Sequence, residues 1–447
     1  MTWTDPTAPL DARLDALMDA MSLTDLAHQL GSYWLPADGD RPAPDPDAHE
    51  VAPMETEFTS ELRPWPEAID GGLGHLTRVY GTAPVSVADG AAKLSRLQSE
   101  VVAGNAFGIP AIAHEECLTG FTALGATVYP ASIAWGATWR PELIEEMAAA
   151  IGSDLAAVGV HQGLSPLLDV VRDYRWGRVE ETCGEDPYLV GSLGTAYVKG
   201  LQSAGVIATP KHFVGYSAGR AGRNHAPVSM GRRELEDVML PPFEMALRLG
   251  GARSIMNSYC DVDGQPAAAS ADLLTGVLRD RWGFEGTVVS DYWSIAFLTR
   301  MHRIAPDDAT AAALAIRAGL DVELPSTGAY WAIEEAISRG MLSEDDVRRA
   351  ARRVLRQKLE LGLLDDGWAV AADTRADLDS PRNREIARRV AEESVVLLAN
   401  DGVLPLGADR RVAVIGPVWA DVRSFMGCYS FPNHVMAKSG TETGLEI

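Results

Sequence analysis

The chain has 447 residues, 47% of them hydrophobic and 23% charged, with a formal net charge of −23. This is the make-up of a globular protein long enough for two domains. Its acidity argues against nucleic-acid or anionic-membrane partners, which need a basic face. No apolar run approaches the roughly 18 residues of a membrane helix, and no basic segment followed by an apolar one opens the chain. Cys117, Cys183, Cys260 and Cys428 are scattered, without the C-x-x-C pairing of a zinc site or a disulfide framework. A reduced, cytoplasmic compartment is therefore expected, with no metal or other cofactor, and either a monomer or a homo-oligomer is compatible.

An amphipathic helix is expected near 9–30, followed by an acidic, Pro-rich surface loop, "PADGDRPAPDPDAHEVAP". From about residue 71 short apolar runs ("IPAIAHEE", "VGVHQGLSPLLDV", "GVIATPKHF", "ARSIMNSY", "GTVVSDY", "GLDVELP") alternate with helical patterns. The helices fall near 84–107, 140–157, 185–203, 232–249, 271–281 and 307–318. This alternation marks βα units and a parallel sheet. Six or more such units suit a closed (β/α) barrel, expected over residues 1–365, better than an open sheet. Helices near 329–339 and 343–361 complete it. A polar stretch over 366–385, "DDGWAVAADTRADLDSPRN" at its heart, reads as a linker. Beyond it, a helix at 383–393 and the runs "SVVLLAN" and "RVAVIGP" look like the start of a second α/β unit over 386–447, too short to close a core of its own.

Chemistry in such a barrel belongs at the C-terminal ends of the strands. Those exits carry Glu115 and Glu116, Asp169, Lys211 and His212, Tyr259, and Asp291. Each alone has a bland reading as a helix cap, an ion-pair partner or a solvated loop residue. Converging on one rim, carboxylates, a Lys, a His and aromatics suit polyhydroxyl recognition with acid–base or nucleophilic carboxylate chemistry. Gly-rich phosphate loops and a GxSxG elbow are absent. A Schiff-base lysine at Lys211, as in barrel aldolases, is a rival reading. Its carboxylate neighbours would keep that amine charged. A non-catalytic sugar-binding module would not require a carboxylate set against aromatic rings.

The runs "DYRWGRVEETCGEDPYLVG", "ATPKHFVGY", "SIMNSYCDVDG" and "VVSDYWSI", with "HEECLTG" before them, resemble glycoside hydrolase family 3, in its xylosidase and glucosidase branches. "SVVLLANDGVLPL" and "RVAVIGP" are similar to the opening of that family's αβα-sandwich domain. The resemblance implies a (β/α)8-type TIM barrel followed by the beginning of that second domain. It implies a retaining, exo-acting enzyme that removes terminal non-reducing β-D-glucosyl or β-D-xylosyl residues from small or oligosaccharide β-glycosides. Asp291 would be the nucleophile, forming a covalent glycosyl-enzyme. Glu116, Arg178, Lys211 and His212 would bind sugar hydroxyls, and Tyr259 would border the nucleophile. Thr119 stands where the family's motif has a His. Glu115 reads as a structural neighbour, and Asp169 as structural and paired with an Arg such as Arg175.

A retaining enzyme needs a second carboxyl group as acid/base, and nothing in 390–447 matches the family's Glu. The N-acetylglucosaminidase branch uses an Asp–His pair on a loop here represented by "SAGRAGRNHAPV", with His225 but no Asp-Ser-His. His225 therefore reads as a loop residue. The chain is expected to be a piece of a longer enzyme, or one whose acid/base comes from elsewhere. A sugar-binding protein without turnover, or an enzyme using the loop His, is the alternative.

Overall fold

A computed structural model describes residues 2–35, 50 and 52–437. Five short strands, Ser32–Trp34, His75–Thr77, Ile112–Glu115, Gln162–Gly163 and Ile207–Ala208, pair in parallel in chain order. Ser254–Met256 pairs in parallel with Thr287–Val289. The two groups are joined where Met256 N–H donates to Pro210 O (3.0 Å) and Phe213 N–H to Met256 O (2.7 Å). An eighth extended segment, 320–324, bridges to the seventh strand through Val289 and Val322. It reaches the first strand where Glu323 N–H donates to Leu30 O (2.9 Å). The staves thus close into an eight-fold barrel, the form expected from the βα rhythm.

The helices form where caps and apolar stripes coincide. Ser86 accepts from Asp89 N–H (3.1 Å) at the start of Val87–Ala103, which buries Leu94, Leu97 and Val101. Asp186 caps Pro187–Ser203, and Asp307 caps Asp308–Ala318. Two expected helices are broken. The first divides into Leu10–Ala20 and Leu23–His28, because Ser22 and Asp25 form a capping box that starts a new helix. The pattern over 232–249 passes through a π-helical turn, Leu235–Met239, before Pro241–Arg248. Pro241 and Pro242 have no N–H to continue the ladder. The long run "VGVHQGLSPLLDV" yields only a two-residue strand, since Pro166 cannot donate to a neighbour.

The eighth segment is locked by Asp321. Its fully buried carboxylate accepts from Arg279 Nη2, Arg353 Nη1 and Val288 N–H, each at 2.8 Å. Below the site the barrel interior is polar. Gln162 Nε2 donates to Thr209 Oγ1 (2.8 Å), and Lys358 Nζ donates to Gln29 Oε1 (2.6 Å) and Leu73 O (2.9 Å). No helix among the described residues is long and apolar enough to cross a membrane.

Past the barrel, Pro381–Glu393 packs on Pro141–Ala157, with Asn383 Nδ2 donating to Asp154 Oδ2 (2.9 Å). The runs read as strands, "SVVLLAN" and "RVAVIGP", form no strand. Leu398 and Ile415 are 92% and 90% exposed. An isolated strand has no ladder for its N–H and C=O groups, and no partner lies beside these runs among the described residues. The chain then returns to the barrel mouth, where Thr122 Oγ1 donates to Tyr429 O (3.0 Å).

Candidate active site

At the C-terminal end of the barrel lies a cavity of about 290 Å³. Glu116, Arg178, Lys211, Tyr259 and Asp291 line it, together with Arg78, Tyr216, Asn224, Tyr292, Tyr429 and Glu50. Asp291 leaves the seventh strand in a tight turn. Its N–H donates to Asn257 Oδ1 (3.1 Å), and Asn257 also accepts from Ser294 Oγ (3.2 Å). Tyr292 N–H donates to Asp291 Oδ1 (2.8 Å), which fixes the carboxylate plane. Oδ2 is buried and has no hydrogen-bond partner. One oxygen is tied down and the other is left without a hydrogen bond, in a residue that lines the cavity.

Burial pushes the Asp291 carboxyl up to about 6, against the pull of Arg178 and Lys211, the Tyr292 N–H and Tyr259. Tyr259 borders it as expected, its hydroxyl donating to Tyr292 O (2.9 Å). His212 Nε2 faces Asp291 Oδ2 at 3.5 Å. Its Nδ1 lies 2.9 Å from Asp169 Oδ2, which also accepts the His212 backbone N–H (3.1 Å). Burial holds the imidazole well below its ordinary value, helped by the Arg178 and Lys211 charges. Desolvation lifts Asp169 to about 7. The ring is therefore a neutral, oriented hydrogen-bonding group, its Nδ1–H assigned from the Asp169 contact.

Lys211 Nζ donates to Glu116 Oε2 at 2.9 Å, with both side chains buried. An amine engaged in this ion pair is not the free nucleophile that a Schiff-base reading needs. Arg178 makes a forked contact with Glu181, Nε to Oε1 at 2.9 Å and Nη2 to Oε2 at 2.7 Å. Glu115 is structural, as read from sequence. It accepts from Tyr80 N–H (2.7 Å) and Gly81 N–H (3.1 Å), and burial lifts it to about 8.

Asp169 corrects the sequence reading. Arg175 is 70% exposed and pairs with Asp173 at 2.6 Å, while Asp169 is buried against His212. The chain turns outward at Asp173, so Arg175 points away. His225 does not line the cavity. Its ring stacks on Tyr216 (13° between planes) and sits 4.6 Å from that of Tyr259, and burial lowers it to about 4. Arg78 was overlooked, although it follows the second strand directly, and the strand-exit criterion applied to His75–Thr77 would have found it. Tyr292 is the neighbour of Asp291. Tyr429 and Glu50 come from remote segments and carry no local signal.

The chain matches the model of the glycosyl hydrolase family 3 N-terminal domain over residues 69–357. It is 36% identical to a beta-xylosidase of Formosa agariphila, over 75% of this chain and 50% of that protein. A β-glucosidase structure from Erythrobacter marinus superposes with a TM-score of 0.80 at 36% identity, covering 90% of this chain and 52% of that one. A β-glucosidase from Listeria innocua solved in complex with glucose gives 0.75 at 29% identity, covering 88% and 52%. The chain spans about half the length of curated relatives it matches. With a closed barrel, this cavity at its C-terminal rim and a family match over most of its length, the chain belongs to glycosyl hydrolase family 3.

Proposed function

We propose that this chain carries the sugar-binding and nucleophilic half of a retaining, exo-acting β-glycosidase, acting on terminal β-D-glucosyl or β-D-xylosyl residues. Support comes from relatives named beta-xylosidase and beta-glucosidase. The observation that carries the reading is Asp291, a buried carboxylate with Oδ1 pinned and Oδ2 unpartnered, lining a cavity that also holds charged donors. In this reading Oδ2 attacks the anomeric carbon, the C1–O bond to the leaving group breaks, and a glycosyl ester forms that water then hydrolyses. Lys211, Arg178 and His212 bind ring hydroxyls, their orientation already set by Glu116, Glu181 and Asp169. With Glu116 bound to Lys211, the leaving-group proton comes from a group outside this cluster. General acid help is worth typically 10²–10⁴-fold, so aryl glycosides, which leave without a proton, are the appropriate substrates.

The test is trapping with 2-fluoro-β-xylosyl and 2-fluoro-β-glucosyl fluorides, read by mass spectrometry of the labelled peptide. One sugar adduct is expected on the peptide holding Asp291, absent from an Asp291→Asn variant with an unchanged circular dichroism spectrum. Equal labelling of that variant places the nucleophile elsewhere.

A further inference from the structure

Trp293 stands two residues past Asp291, and no step described so far uses it. Its φ is 60°, in the left-handed region that bulky side chains avoid. Ser294 N–H donates to Asp291 O (2.9 Å), so residues 291–294 form a β-turn with Trp293 in its third position. A positive φ at that position is ordinarily the business of glycine. A tryptophan persists there when its surroundings over-determine it. The ring is buried and stacks on Phe58 at 5.0 Å and 14°, and on Trp34 at 6.0 Å and 28°. The Arg300 guanidinium lies over Phe58 at 4.8 Å, and that of Arg78 lies over Trp34 at 5.4 Å. Trp293 is thus the middle of a column of planar groups, and its N–H is tied to Leu324 O (2.9 Å) on the eighth segment.

The same turn fixes Asp291. Asp291 O accepts the Ser294 N–H, and its Oδ1 accepts the Tyr292 N–H. Asp291 N–H and Ser294 Oγ both donate to Asn257 Oδ1. A rotation at residue 293 toward ordinary negative φ would pull Ser294 away from these partners and turn the carboxylate with it. We propose that Trp293 is a positioning residue, its stacked ring holding the left-handed turn that sets the Asp291 carboxylate; this rests on the nucleophile reading above. Misplacing a reacting group by about 1 Å costs on the order of 10²-fold in rate. Lys211, Arg178 and His212 stand on other elements, so sugar binding should survive such a shift and the loss should fall on kcat.

The experiment measures kcat and KM for nitrophenyl β-xyloside and β-glucoside in the wild type, Trp293→Phe, Trp293→Ala, Trp293→Gly and Phe58→Leu. Hydrogen–deuterium exchange over residues 286–298 is followed in each. Trp293→Ala loses the ring and disfavours the positive φ, so kcat should fall about tenfold or more with KM within about threefold. Trp293→Phe keeps a ring in the stack and should stay within about threefold of the wild-type kcat. Trp293→Gly leaves the larger hole but accepts the φ, and its kcat should exceed that of Trp293→Ala. A merely structural role predicts the reverse order, because glycine fills less of the core. Glycine no better than alanine, a loss carried by KM, or no rescue by phenylalanine overturns the proposal. If the small variants do not fold, Phe58→Leu decides, since Phe58 does not line the cavity: a lower kcat at unchanged KM is expected, and an unchanged kcat overturns it. If the wild type turns over neither glycoside, the nucleophile reading fails by itself. Exchange then decides Trp293: amides 291–294 should exchange faster in Trp293→Ala than in Trp293→Gly, and equal rates overturn its role.

Discussion

Replacing Lys211 by Met removes one half of a buried ion pair, and the geometry sets the size of the effect. At 2.9 Å and an effective dielectric constant of about 20, the Coulomb attraction is about 6 kcal/mol. Desolvation of both ions offsets much of it, and removing one partner of such a pair costs about 3–5 kcal/mol because a buried charge is left alone. Lys211→Met should therefore lose about that much stability at pH 8. A Lys211→Met/Glu116→Leu double variant leaves no charge behind and should be more stable than the sum of the singles by at least about 2 kcal/mol. Urea unfolding of all four proteins at pH 8 measures this. Additivity within about 0.5 kcal/mol refutes the reasoning.

The position of Asp291 predicts an acid limb. With its carboxyl pushed up to about 6, kcat/KM for an aryl glycoside should fall below that pH as the nucleophile protonates. Loss of the Lys211 charge should move the limb upward; a limb that stays in place in Lys211→Met contradicts the assignment. Asp321→Ala leaves two arginines without their shared carboxylate, Arg279 largely buried and already lowered to about 10. It should cost about 3–5 kcal/mol, read as a large drop in Tm. An unchanged Tm would show that the eighth segment is held by something else.

The site residues read from strand exits share one property: each stands within three residues of an apolar, β-branched run. Asp291 follows Val288 and Val289, Glu116 follows "IPAIAH", and Tyr259 follows "ARSIM". Arg78 escaped because its strand, His75–Thr77, is two-thirds polar. In a barrel interior the stave side chains bond one another, so a stave need not be an apolar run. Asp169 was given the wrong partner because sequence distance stood in for spatial distance; its partner His212 is 43 residues away. Arg178 sits on a loop without periodicity, and only its motif identified it. The strands expected near 395 and 412 had the right composition. A strand is a property of its neighbours as much as of its own residues, and composition alone does not supply the ladder.

On the proposed function, the arrangement of partners suits this rim to a neutral, flexible sugar. Lys211, Arg178 and His212 each reach the rim already bonded to a carboxylate, at 2.9, 2.7 and 2.9 Å respectively. Each keeps further donor or acceptor capacity: an ammonium has three protons, a guanidinium five, and a neutral imidazole a second nitrogen. Ion pairs orient these groups before a ligand arrives, so binding need not immobilise them and the ordering cost on association falls. The same pairing cancels most of the charge. A rim of bare cations would attract anions from solution, whereas a rim of paired ions offers directional hydrogen bonds to hydroxyls. Asp291 differs in having one oxygen fixed and one unpaired. Asp169 Oδ1 is likewise without a partner, but of the two only Asp291 lines the cavity.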